Sequence, residues 1–183
     1  MKRNFIIAAG CLLLFACNNE KKDDNKTTGS AMNDTGKKPQ SEFADQKYAD
    51  WGKKLIADMS SGNMDGYMSL YADNAVYAWC SGDSLAGKAE IDKYWRNRRM
   101  NVIDSISFSN DIWLPLKVNT PQRGPDAAGI WLLSWYQVNV KYKNGKKLTF
   151  WTHTDHHFDA NDKIDRSIQY IDMAPIKEAL AAK

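Results

Sequence analysis

IWLLSWYQVNVKYKNGKKLTFWTHTDHHF, residues 130–158, decides the fold of this chain. Two runs of alternating side chains, 130–143 and 146–158, flank Asn144-Gly145. That dipeptide is the strongest short hairpin signal, because a two-residue type I′ turn needs positive φ at both central positions. With two residues in the loop, Lys143 faces Lys146, Trp135 faces Thr154, Gln137 faces Thr152, and Leu133 faces His156. A slip of one residue exchanges the two faces of an arm. Phe150, Thr152, Thr154, His156 and Phe158 have apolar ends and a polar middle, as a pocket wall does. In this register Trp135 and Gln137 join them from the first arm.

Working outward, period two persists. Residues 105–118 and 163–173 read as strands that bring Phe108, Asn110 and Ile112, and then Gln169, to the same chamber. Ahead of them the period is helical. Tyr48, Trp51, Leu55 and Met59 mark one helix; Tyr67, Met68, Leu70 and Tyr71 mark a second, capped by Asn63 or Asp65. Residues 75–79 read as a strand and Ser81-Gly82-Asp83 as a turn. Residues 88–98 form a third helix with Ile91, Tyr94 and Trp95 on one side, and Arg96, Arg98 and Arg99 suit its C-terminus. Pro175 can open a short last helix. Helices first and long antiparallel strands after give an α+β layout.

The order of these motifs resembles the nuclear transport factor 2-like superfamily: Tyr71-Ala-Asp-Asn-Ala-Val-Tyr77, then Ala86-Gly87-Lys88-Ala89-Glu90-Ile91 opening a helix. Phe158-Asp-Ala-Asn-Asp-Lys163-Ile164 and Gln169-Tyr170-Ile171-Asp172 resemble its SnoaL-like branch. The resemblance covers most of residues 42–183. It implies a cone-shaped barrel of three N-terminal helices packed on a strongly curved antiparallel sheet, with a pocket in the cone. Members include isomerases, cyclases, hydrolases and domains that only bind or dimerise, so function rests on the site. Where enzymes of the superfamily place acids, this chain has Gln137 and Gln169, and an amide takes no useful proton near pH 7.

The first 16 residues are a processing signal. Lys2 and Arg3 precede an apolar run too short to span a bilayer, and Leu14-Phe15-Ala16-Cys17 resembles a bacterial lipobox. Cys17 is therefore the expected lipidation site and residues 17–41 a polar tether, which lacks the apolar surface to fold. The folded domain is 42–183. Cys80 is then the one cysteine left in it, expected as a small buried hydrophobe. Asn18 after the anchor points to an outer-membrane lipoprotein, facing the periplasm or the cell surface, held by its acyl lipid.

At 43% hydrophobic and 26% charged, the 183-residue chain has enough apolar material for a core, and a net charge of +3 is too mild for a dedicated nucleic-acid binder. Three functions fit. The domain binds a small apolar or aromatic ligand in the cone without catalysis, through Trp135, Gln137, Thr152, Thr154, His156, Gln169, Phe108 and Asn110. Alternatively it is an isomerase, dehydratase or hydrolase with His156 as candidate catalytic base, or a structural module that forms a homodimer through the outward sheet face. No cofactor is implied. His153, Asp155 and His157 share a strand face, but two histidines four residues apart on a strand are separated by about 13 Å, so no metal site is expected.

Overall fold

The computed structural model describes residues 36–124 and 126–181. The leader, Cys17 and most of the tether lie outside the described residues.

In chain order the elements are β1 (Ser41–Phe43), α1 (Lys47–Ser61), α2 (Met64–Ser69), β2 (Tyr71–Trp79), β3 (Ser84–Ala86), α3 (Lys88–Asn97), a π-helical turn (Arg98–Val102), β4 (Ile103–Val118), β5 (Gly129–Tyr142), β6 (Lys147–Phe158), β7 (Ile164–Tyr170) and α4 (Ala174–Ala181). Helix α1 buries Tyr48, Ala49, Gly52, Leu55 and Met59 along one stripe. It stops at Gly62, whose φ of 80° lets the chain reverse while Asn63 N–H donates to the Asp58 carbonyl at 2.9 Å. The Asn63 side chain then caps α2 by accepting from Gly66 N–H.

The strands form one seven-stranded sheet in the order β1-β4-β5-β6-β7-β2-β3. It departs from the expected all-antiparallel barrel in two ways. β2 runs parallel to β7, from Tyr71 beside Ile164 to Trp79 beside Gln169, so the sheet is mixed. Its edge strands β1 and β3 do not pair, so it is not closed. A bulge at Asn110 and Asp111 breaks the β4–β5 register, and Asn110 takes a φ of 54° there. Such bulges bend and twist a strand. The fold also begins slightly before residue 42: Asn119 N–H donates to the Gln40 carbonyl and its side chain to that of Pro39.

The central hairpin corrects the expected register. Tyr142 N–H donates to Lys146 O at 2.8 Å and Gly145 N–H to Tyr142 O at 2.9 Å, which leaves three residues in the loop. Gly145 alone has positive φ, 86°, while Asn144 does not. This is the three-residue hairpin with a left-handed glycine bulge, which accepts the same Asn-Gly pair. The pairing is therefore Tyr136 with Thr152, Ser134 with Thr154 and Leu132 with His156. The inward face of β6 is the expected one, but on β5 the faces exchange. Burial decides it: Leu132, Tyr136, Val138, Val140 and Tyr142 all turn inward, and the alternative would have buried Gln137, Asn139 and Lys141.

Cys80 is exposed, not buried, because it sits past the end of β2, in the turn that Gly82 completes by donating to Trp79 O. No helix among the described residues is long and apolar enough to cross a membrane.

Gly52 seats α1 on the sheet. A Cβ there would lie 2.7 Å from Leu132 Cδ2 and closer still to the Trp113 ring. On an exposed helix, Gly→Ala stabilises by up to about 1 kcal/mol. Here Gly52→Ala is expected to destabilise by about 1–3 kcal/mol through overpacking, read as a lower urea midpoint.

Candidate functional site

Inside the cone, α1, α3 and the concave side of the sheet enclose a cavity of about 90 Å³. One wall is a cluster of four rings. Tyr77 and Trp79 project from β2 with centroids 5.0 Å apart. Tyr94 and Trp95 come from α3, 5.1 Å apart and nearly perpendicular, and Trp95 stands 5.5 Å from Tyr77. Edge-to-face contacts of this kind suit the ring quadrupoles. The facing wall contains Phe108, Trp113 and Tyr136, with Phe108 edge-on to Tyr136 at 5.3 Å.

The polar groups of the lining are few and mostly committed. Gln169 Oε1 accepts from both Tyr77 O–H and Trp79 Nε1–H, each at 3.0 Å, and its Nε2 donates to Thr152 Oγ1. The amide thus orients two rings of the wall. Thr154 Oγ1 shares a hydrogen bond with Tyr136 O–H at 3.3 Å. His156 is buried, with Nδ1 2.8 Å from Ser167 Oγ. Ser167 in turn reaches Tyr71 O–H at 3.5 Å, and Tyr71 lies 3.2 Å from Tyr67 O–H. Among the described residues several lining groups keep unused donors, and besides the hydroxyls of Tyr94 and Tyr142 two stand out. Trp95 Nε1 is buried without a partner, and Arg98 forms neither an ion pair nor a hydrogen bond.

Of the residues expected at the site, Phe108, Thr154, His156 and Gln169 line the cavity, and Thr152 supports it through Gln169. Trp135, Gln137 and Asn110 do not. The one-residue register change turns Trp135 outward, where it stacks on His153 at 4.3 Å. Gln137 accepts from Asn110 Nδ2 at 3.1 Å on the outer side of the bulge. Ile112 is likewise 56% exposed. The residues that sequence reasoning missed are Tyr136, Trp113, Tyr77, Trp79 and Arg98. The signal for Tyr136 was available: the even positions of 130–142 are the more apolar set.

His153 and His157 are occupied on the outer face. His153 Nδ1–H donates to Ser134 O at 2.9 Å, and His157 lies between Asp165 Oδ1, at 2.6 Å, and the Ala128 carbonyl, at 3.1 Å.

The electrostatics leave little room for acid–base work. No carboxylate lines the cavity. Burial pushes the phenols of Tyr67 and Tyr77 well above their ordinary value and Tyr71 up to about 12, so all three stay protonated. Burial, with a smaller push from His153, lowers His156 to about 4. A base with so low a pKa is neutral but weak at pH 7.

That depression predicts a pH dependence. Between pH 6.5 and 4 the unfolded chain binds a proton at residue 156 that the folded chain refuses. Stability is therefore expected to fall by about 3 kcal/mol as pH drops through this window. Asp104 and Asp162, held below the ordinary carboxylate value by hydrogen bonds from Lys141 and Lys47, lose their contributions only below about pH 4. Urea midpoints measured across pH 4–7 should decline less steeply for His156→Gln than for the unaltered protein.

No family model matches the chain, and no curated protein matches it in sequence. Solved structures do match in shape. A nuclear transport factor 2-like protein of unknown function from Burkholderia pseudomallei K96243 superposes with a TM-score of 0.58 at 13% identity, covering 73% of this chain and 97% of the other. A candidate polyketide cyclase from Pseudomonas putida KT2440 gives 0.56 at 13% identity, with 71% and 95% covered. A candidate isomerase from Bacillus subtilis gives 0.55 at 19% identity, with 75% and 95% covered. Three helices on a strongly bent sheet, with an aromatic chamber between them, thus give this chain the nuclear transport factor 2-like fold.

Proposed function

We propose that this protein is an envelope lipoprotein whose cone domain binds a small apolar or aromatic ligand without chemistry. The observation that carries the binding half is the aromatic cavity, in which no carboxylate stands beside the weakly basic His156. Solved neighbours of the same fold that are described as a candidate cyclase and a candidate isomerase support a cone that holds a ligand. At about 90 Å³ the chamber is smaller than a roughly 150 Å³ cavity that takes up benzene. The ligand is accordingly no larger than a single ring or a short chain.

The lipoprotein half rests on sequence: the charged start, the apolar run and Cys17, followed by the polar tether to about residue 41. Asn18 after the anchor supports an outer-membrane location. Cys17→Ser is expected to abolish acylation and leave unprocessed precursor in the envelope, visible by mass spectrometry. Normal lipidation of that variant would refute Cys17 as the anchor.

A second reading has one specific observation behind it. On the outer face Ile112, Trp135, His153 and Tyr170 pair in register across β4, β5, β6 and β7, with Trp151 half-exposed beside them. A homodimer through this face would cover the row. It predicts a dimer by light scattering that Trp151→Glu dissociates.

The binding reading is tested by thermal shift against small apolar and aromatic compounds. At 100 times Kd a ligand adds about 2.7 kcal/mol, and Trp79→Ala should weaken it by about 2 kcal/mol, as loss of a buried aromatic anchor does. His156→Gln should leave any hit bound and unturned. Turnover of a hit that disappears with His156→Gln would replace binding with catalysis.

A further inference from the structure

Three arginines close α3, and two are spoken for. Arg96 is held by Asp92 and Asp65, with N–O distances of 2.9 Å to each. Arg99 donates to the Met59 and Ser60 carbonyls at 2.9 and 3.0 Å, tying the π-helical turn to the end of α1. The same turn is pinned from the hairpin, where Lys143 N–H donates to Val102 O at 2.9 Å. Arg98 is therefore held in place by its neighbours while its own guanidinium stays uncommitted. It stands over the face of Tyr94, with Cζ 5.7 Å from the ring centroid. A partly buried arginine beside a buried indole N–H that lacks an acceptor offers an anion two sets of donors.

Trp95 lies one turn before Arg98, so the two side chains share a helix face. Both line the cavity, and the buried Trp95 Nε1–H has no acceptor. Several other polar groups of the chamber are already bonded: Gln169 with Tyr77 and Trp79, Thr154 with Tyr136, and His156 Nδ1 with Ser167. Trp95 Nε1–H is thus left without an acceptor, and the lining carries one cation and no acid.

We propose that the cone takes a small apolar carboxylate, its head group between Arg98 and Trp95 and its short chain or single ring against the aromatic wall. This rests on the binding reading above and narrows it. A planar carboxylate offers two oxygens, one for the guanidinium fork and one for the indole N–H, and charge-assisted bonds of this kind are the strong ones.

The test uses the full-length protein in lipid nanodiscs, with empty nanodiscs as the blank, and isothermal titration of matched probes. Benzoate is compared with benzyl alcohol, and hexanoate with hexanol and hexylamine. The expected result is a Kd at least about tenfold lower for each carboxylate than for its alcohol, with the amine weakest. Arg98→Gln should erase that gap, Arg98→Lys should restore part of it, and Trp95→Phe should narrow it. If Arg98→Gln does not melt cooperatively, Trp95→Phe and a gap that shrinks with added salt carry the test. Equal affinity for acid and alcohol would overturn this inference and leave the binding reading standing. Failure of every probe to bind saturably would overturn both.

Discussion

The register of the β5–β6 hairpin governs which chemistry enters the cone. Gly145 takes the left-handed conformation at the end of a three-residue loop, and the pairing of every residue from 130 to 158 follows from it. Tyr136 and Val138 face α1 and the cavity, whereas Trp135 and Gln137 face out. With the loop one residue shorter, a different set from β5 would line the chamber. The free energy that selects the observed register is the burial of an apolar ladder against the alternative of burying an amide and a lysine stem.

The chamber that results holds no carboxylate. Gln169 spends its amide on Tyr77, Trp79 and Thr152, which fixes the rings that form the wall. Buried phenols and a depressed histidine leave no group that trades protons readily near pH 7. The charge that does reach the cavity arrives from Arg98, at the point where α3 loosens into a π-helical turn. Turns of that kind recur at functional sites.

Much of this was legible in the sequence, because period and punctuation are local. The three helices, the long strands and the Asn-Gly hairpin follow from apolar spacing and turn chemistry, and so do Thr154, His156, Phe108 and Gln169 as lining residues. The register was not, since Asn-Gly suits both a two-residue and a three-residue loop. The alternation of Lys141 and Asn139 with Val138 and Val140 held the correcting signal. The parallel β2–β7 pairing was also out of reach, because it joins residues about 90 positions apart that no local pattern links. Arg98 read as an ordinary helix-terminal charge until the commitments of Arg96 and Arg99 set it apart.

A chamber that binds without chemistry depends on His156 staying neutral and weakly basic. Its titration can be followed directly by NMR of ¹³C-labelled imidazole. The expected result is an apparent pKa near 4, with the ring neutral throughout the physiological range. A value at or above 6.5 would contradict it, because His156 would then be a competent base facing the cavity at neutral pH.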